Sequence, residues 1–239
     1  IIAPESVAAP ETFVWAMMAA LLAGALWINL ATWLGAPVST THSIVGGVMG
    51  AGIAAAGLPA VNWTTMGMIA ASWGISPVMG GAMAALFLAL IHDRIIYRED
   101  KIAAARTWVP VLIGVMGGVF TTYMALKGVA RLVKFSLGEA VLFGIAVGVP
   151  LVFLMRPVIR RQSRGLENRS RSLKPLFAIP LLFSAALLSF AHGANDVANA
   201  VGPLAAIVHS VQDGAGSDRV AIPLWVMLIG GVGLSVGLL

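Results

Sequence analysis

The chain has 239 residues, 59% of them hydrophobic and only 10% charged, and its mean hydropathy is +0.93. That balance excludes an ordinary water-soluble domain and defines a polytopic, multi-pass membrane protein. The net charge of +5 does not point to nucleic acid, because no Lys or Arg falls inside an apolar run and the basic residues sit where they set membrane orientation. There is no Cys, so disulfides and zinc–thiolate sites are ruled out.

Residues 1–11, with Glu5, Glu11 and two prolines, read as an extended connection without the basic region and apolar core of a signal peptide. From Thr12 to Leu34 the chain is long enough to cross a bilayer core of ~30 Å at ~1.5 Å per residue. Gly35 to Pro37 stops that run. A short helix follows from Ser43 to Gly57, with Gly46, Gly47, Gly50 and Gly52 offering a face for close helix approach. The run from Thr64 to Ile91 contains Gly74 and Ser76-Pro77, which predict a break or kink in its middle. A charged surface loop, in part helical, is expected over Asp93 to Arg106, and spans over Thr107 to Leu126 and Gly138 to Met155.

Arg156 to Lys174 carries seven basic residues against one Glu and reads as a flexible cytoplasmic linker. It divides the chain into membrane helices over 1–155, the basic linker over 156–174, and a second set of helices over 175–239. Two spans separate the linker from the loop at 93–106, so both loops share a side and hold eleven Lys/Arg, against three in the loop between. The positive-inside rule places them in the cytoplasm. The apolar run Pro175 to Phe190 leads into a polar motif, then a short helix from Val197 to Val211 interrupted by Gly202-Pro203, a polar loop from Asp213 to Arg219, and a last run from Ala221 to Leu239.

Asp196, flanked by Asn195 and Asn199, sits at membrane depth. An acid there costs several kcal/mol unless it faces a cavity, a partner or an ion, so it is a candidate functional residue; the alternative is a helix cap at the membrane surface. Gly193-Ala194-Asn195-Asp196-Val197-Ala198-Asn199-Ala200 resembles the signature of the inorganic phosphate transporter (PiT) family. Pro37-Val38-Ser39-Thr40-Thr41-His42 resembles its other recurring motif, and Ser72-Trp73-Gly74-Ile75-Ser76-Pro77 also fits. The resemblance covers nearly the whole chain. It implies an all-α, inverted-repeat secondary transporter with broken or re-entrant helices, multi-pass in a plasma or inner cell membrane, the division at the basic linker then separating parts of two repeats. One acidic and one hydroxyl-rich motif are present where the family has two of each, so the chain is expected to be an internal fragment.

Each motif interrupts an apolar stretch before a Gly-rich helix, the pattern of discontinuous helices at transporter sites. The helix beginning near Ser43 presents unpaired N–H groups and a positive dipole end, which favour an anion. Ser39, Thr40 and Thr41 add three hydroxyls that can donate to phosphate oxygens, or can simply cap the helix. Asp196 repels an anion unless neutralised, and a co-bound cation does this. Asp196, Asn195 and Asn199 offer hard oxygen ligands for sodium, and a proton on Asp196 serves electrostatically as well.

The expected function is therefore cation-coupled (Na+ or H+) secondary transport of inorganic phosphate, a symport. Ser39, Thr40, Thr41, Asn195 and Asn199 are the substrate-binding candidates, and Asp196, Asn195 and Asn199 the cation-binding ones, with Asp196 the metal ligand if sodium is used. No catalytic residue and no cofactor beyond the coupling ion is expected. The partners are phosphate, the cation, the bilayer and, where repeats must be completed, a second copy. A transporter of another tetrahedral oxyanion such as sulfate is the first alternative. An intramembrane hydrolase using Asp196 and His192 is a remote one, lacking a second acid or any HExxH or GxSxG element.

Overall fold

The computed structural model describes residues 1–2, 7, 9–129, 133–213 and 222–239. Among these it forms α1 (Pro10–Trp33), α2 (Thr40–Ala56), α3 (Trp63–Ile91), α4 (Lys101–Tyr123), α5 (Leu137–Gln162), α6 (Lys174–Asp213) and α7 (Leu224–Gly237). Short 3-10 turns lie at Leu58–Ala60 and Ser170–Leu173, and π-helical turns at His92–Ile96 and Met124–Gly128. The described residues form no strand, only an isolated bridge between Ile2 and Val61. Five helical stretches, built on α1, α3, α4, α5 and α6, are long and apolar enough to cross a membrane. Glu5, Arg131 and the loop expected after Asp213 lie outside the described residues.

Three sequence expectations change. The break at Ser76-Pro77 is absent, for α3 runs through Pro77. One proline removes a single N–H from the ladder, and a membrane helix tolerates that loss. The acidic motif does not interrupt its helix either: α6 is continuous over 40 residues through Gly193, Asp196 and Gly202-Pro203. Finally, the basic segment 156–174 is largely structured, because α5 continues to Gln162 and α6 begins at Lys174. Arg160 and Arg161 lie in the last turn of α5, where cations complement the helix dipole.

Packing divides the chain into one unit of Ile1–Pro77 with Ala191–Leu239, and another of Val78–Phe190. This division cuts α3 and α6 and does not follow the order 1–155, 156–174, 175–239 drawn from the sequence.

In the first unit α1 and α2 form a hairpin around Phe13, Met17, Ala20 and Val48. Gly47 permits it, since a Cβ there would stand 2.8 Å from the Ala20 carbonyl oxygen. Gly52 is filled by Ile2, whereas Gly46 and Gly50 face open space, so only half of the expected glycine face packs. The far part of α6 contributes Val201 and Ala205 to a small core with Val226 of α7.

In the second unit α4 and α5 are the most extensively packed pair. They cross at two GxxxG segments, Gly114 to Gly118 and Gly144 to Gly148. A Cβ at Gly144 would stand 2.6 Å from the Gly118 carbonyl oxygen, and one at Gly148 2.7 Å from that of Gly114. The backbones therefore touch, which only glycine allows. Ser136 and Glu139 start α5 with a capping box.

The two basic loops meet at one end of this hairpin, as their shared side requires. Asn168 accepts from the Lys101 amide at 2.9 Å and donates to the Glu99 carbonyl at 2.6 Å. Arg106 donates through Nε to Ser163 Oγ at 2.6 Å and through Nη2 to the Ser163 carbonyl at 3.2 Å, and Ser163 is only 1% exposed. The segment is thus latched to the start of α4 and is no flexible tether. With eleven basic residues on this side against three on the other, the latch is expected to face the cytoplasm. Ser170→Cys and Val133→Cys, both at exposed positions, test this with an impermeant thiol reagent in intact cells. Labelling at 170 but not at 133 reverses the orientation.

Candidate functional site

The hydroxyl-rich motif is placed by the turn after α1. Gly35 has φ 67°, a left-handed conformation that costs glycine nothing and lets Leu34 to Ser39 turn the chain back. Ser39 then caps α2: its side-chain oxygen accepts from the His42 amide at 3.3 Å, and its carbonyl accepts from the Ser43 amide at 3.0 Å. Thr40 and Thr41 follow in the first helical turn, where backbone amides point toward whatever lies at the helix end.

On α6, His192, Asn195, Asp196 and Asn199 recur at i, i+3, i+4 and i+7, which puts them on one helix face. That face meets the first turn of α2 within the first unit. Thr40 Oγ1 donates to Asp196 Oδ1 at 2.7 Å. Asn199 Nδ2 donates to Thr41 Oγ1 at 2.9 Å, and Asn195 Nδ2 to the same oxygen at 3.4 Å. His192 Nε2 lies 3.0 Å from Asp196 Oδ2. The Asp196 side chain is 14% exposed and that of His192 68%.

The carboxylate therefore stands at the positive end of α2, with a hydroxyl on one oxygen and an imidazole on the other. No Lys or Arg hydrogen-bonds or ion-pairs with it among the described residues. Asp196 is thus more than a surface cap, because it bonds a different helix. Of the candidates, Thr40, Thr41, Asn195, Asp196 and Asn199 come together. Ser39 bonds only its own helix among the described residues, in the capping role.

Two histidines stand beside the cluster that were not among its substrate or cation candidates, although His192 was named with Asp196 in the hydrolase alternative. The His42 ring lies 3.9 Å from that of Trp73 at 55°, so the third motif element reaches the start of α2 through a ring contact. His192 is the other, and its place in the stripe at i, i+3, i+4, i+7 is a signal that the sequence carries.

The model of the phosphate transporter family matches residues 1–239. A protein of Helicobacter pylori named "Putative phosphate permease" is 46% identical over 100% of this chain and 45% of its own length. A Pyrococcus abyssi protein of similar name is 37% identical over 99% of this chain and 58% of its own. The solved structure of a sodium-dependent phosphate transporter superposes with TM-score 0.89 at 33% identity, covering 96% of this chain and 56% of that one.

The helices and the fold are those of an integral, multi-pass membrane protein, and the family that the chain matches is one of transporters, not of enzymes. The chain belongs to the phosphate transporter family. It spans about half the length of the curated relatives it matches.

Proposed function

We propose that the full-length protein is a symporter that moves inorganic phosphate across the membrane together with Na+ or H+. The observation that carries this reading is the bonding of the two motifs to each other, Thr40 to Asp196 and Thr41 to Asn199. Thr41, with Ser39 at the cap, lines the amide end of α2 and donates to a bound phosphate, and Thr40, whose one O–H goes to Asp196 Oδ1 in this structure, joins them once the cation takes over that carboxylate. Asp196 with the Asn195 and Asn199 carbonyl oxygens takes the cation, whose charge offsets that of the substrate. The likeness to a sodium-dependent phosphate transporter supports the reading and favours sodium.

The test is uptake of labelled phosphate into proteoliposomes containing the full-length protein, under sodium and proton gradients imposed separately. Accumulation driven by one gradient is the expected result, and uptake indifferent to both refutes symport. Excess unlabelled sulfate in the same assay decides the alternative substrate: competition as strong as that of unlabelled phosphate makes this a general oxyanion transporter.

A further inference from the structure

We propose that the seam between α4 and α5 binds an anionic phospholipid, its phosphate in an arginine pocket and an acyl chain in the apolar groove that continues from it. The pocket, about 720 Å3, is lined by Ala103, Arg106 and Thr107 from α4 and by Arg156, Arg160 and Arg164 from the end of α5 and the turn after it. No acid lines it. The acids of this surface are engaged elsewhere: Asp93 with Arg94 and Arg98, Glu167 with Arg169, and Asp100 with the Ala103 amide at the start of α4. Glu99 lines a separate small cavity that Arg106 also borders. None of the four pocket arginines has an ion-pair partner among the described residues.

The pocket is built rather than a chance run of surface charge. Arg106 is held by two hydrogen bonds to the buried Ser163, so one guanidinium is oriented in advance. Arg156, Arg160 and Arg164 recur every four residues, and Arg156 lies 4.9 Å over the Phe153 ring, at the edge of the apolar part of α5.

The occupant follows from what continues from the pocket. The row Thr107, Val111, Val115, Val119 on α4 and the row Arg156, Val152, Val149, Ile145 on α5 lead from the arginines into an apolar groove of about 640 Å3. From Thr107 to Val119 a helix rises ~18 Å, somewhat more than half of a ~30 Å hydrocarbon core. Free phosphate uses the arginines and leaves the groove without a role, whereas a lipid with a charged headgroup fits both. The positive-inside orientation puts the pocket in the cytoplasmic leaflet, where anionic lipids lie.

The test is native mass spectrometry of the full-length protein equilibrated with phosphatidylglycerol or with phosphatidylcholine of the same acyl chains. Selective retention of phosphatidylglycerol is expected. The double variant Arg156→Gln/Arg160→Gln should lower it about 25-fold, at about fivefold per guanidinium, with phosphatidylcholine unchanged. Val149→Trp, which fills the groove and leaves the arginines intact, should also lower retention while the melting temperature shows the fold kept. Inorganic phosphate in large excess should leave the lipid in place. Equal retention of both lipids, or retention unaffected by the double variant, overturns the proposal. Displacement by inorganic phosphate with Val149→Trp inert reassigns the pocket to a free anion, and loss of a dimer with no change in lipid makes the groove a contact between copies.

Discussion

Asp196→Asn in the full-length protein is expected to abolish the cation dependence of phosphate binding while the fold survives. Asn keeps the shape and the hydrogen-bonding positions: its carbonyl oxygen still accepts from Thr40, and its amide faces His192. Only the charge is lost. An ionised Asp at the centre of a membrane helix costs ~2.5–3.5 kcal/mol on insertion scales, so insertion is not harmed. The cation loses the one anionic ligand of the cluster, and because coupling between two ligands is reciprocal, phosphate affinity at saturating cation should fall about 5- to 150-fold. Phosphate binding titrated against sodium and then against pH, in both proteins, measures this. A variant that keeps the full cation dependence makes Asp196 a structural group and moves the cation site elsewhere. If sodium is without effect and a proton gradient drives uptake in the unaltered protein, the Asp196–His192 pair becomes the candidate proton carrier.

The second large effect lies at the crossing of α4 and α5. Gly148→Leu places a Cβ 2.7 Å from the Gly114 carbonyl oxygen and 3.3 Å from the Gly118 Cα. Both are backbone atoms, so no side-chain rotation relieves the overlap and the helices must separate. Overpacking of this kind costs about 1–3 kcal/mol and more where backbone must move. A clear fall in the melting temperature in detergent is expected. Gly80→Ala on α3, where a Cβ meets nothing within 4 Å, is the control and should be neutral or mildly stabilising because Ala favours helix. Equal melting temperatures for Gly148→Leu and the unaltered protein would mean that α4 and α5 are not held by this contact.

The spans were legible because each is a long apolar run. The expected Thr12 to Leu34 became α1 at Pro10–Trp33, and Gly138 to Met155 lies inside α5. Helix ends that use charged residues were not legible. Arg156 to Gln162 reads as loop by composition, yet it continues α5 because cations suit a helix C-terminus. Continuity of α6 through its polar motif was also missed. Asn195, Asp196 and Asn199 bond across to α2, so their polar groups are satisfied without unwinding their own helix. The members of the cluster were readable from motif and residue type, but their pairing was not. That Thr40 meets Asp196, or that Arg106 meets Ser163, depends on residues far apart in the chain being brought together by packing.

The double acceptance at Thr41 fixes the polarity of the cluster. A hydroxyl oxygen has two lone pairs, and Asn195 and Asn199 engage both, so Thr41 turns into a one-way donor. Asp196, in its ionised form, is a one-way acceptor. A ligand at Thr41 must therefore accept its hydrogen bond, as any tetrahedral oxyanion does, while Asp196 can be approached only by a donor or a cation. Thr41 thus suits an anion and Asp196 a cation, two opposite charges sorted within one cluster by which groups can only give and which can only receive.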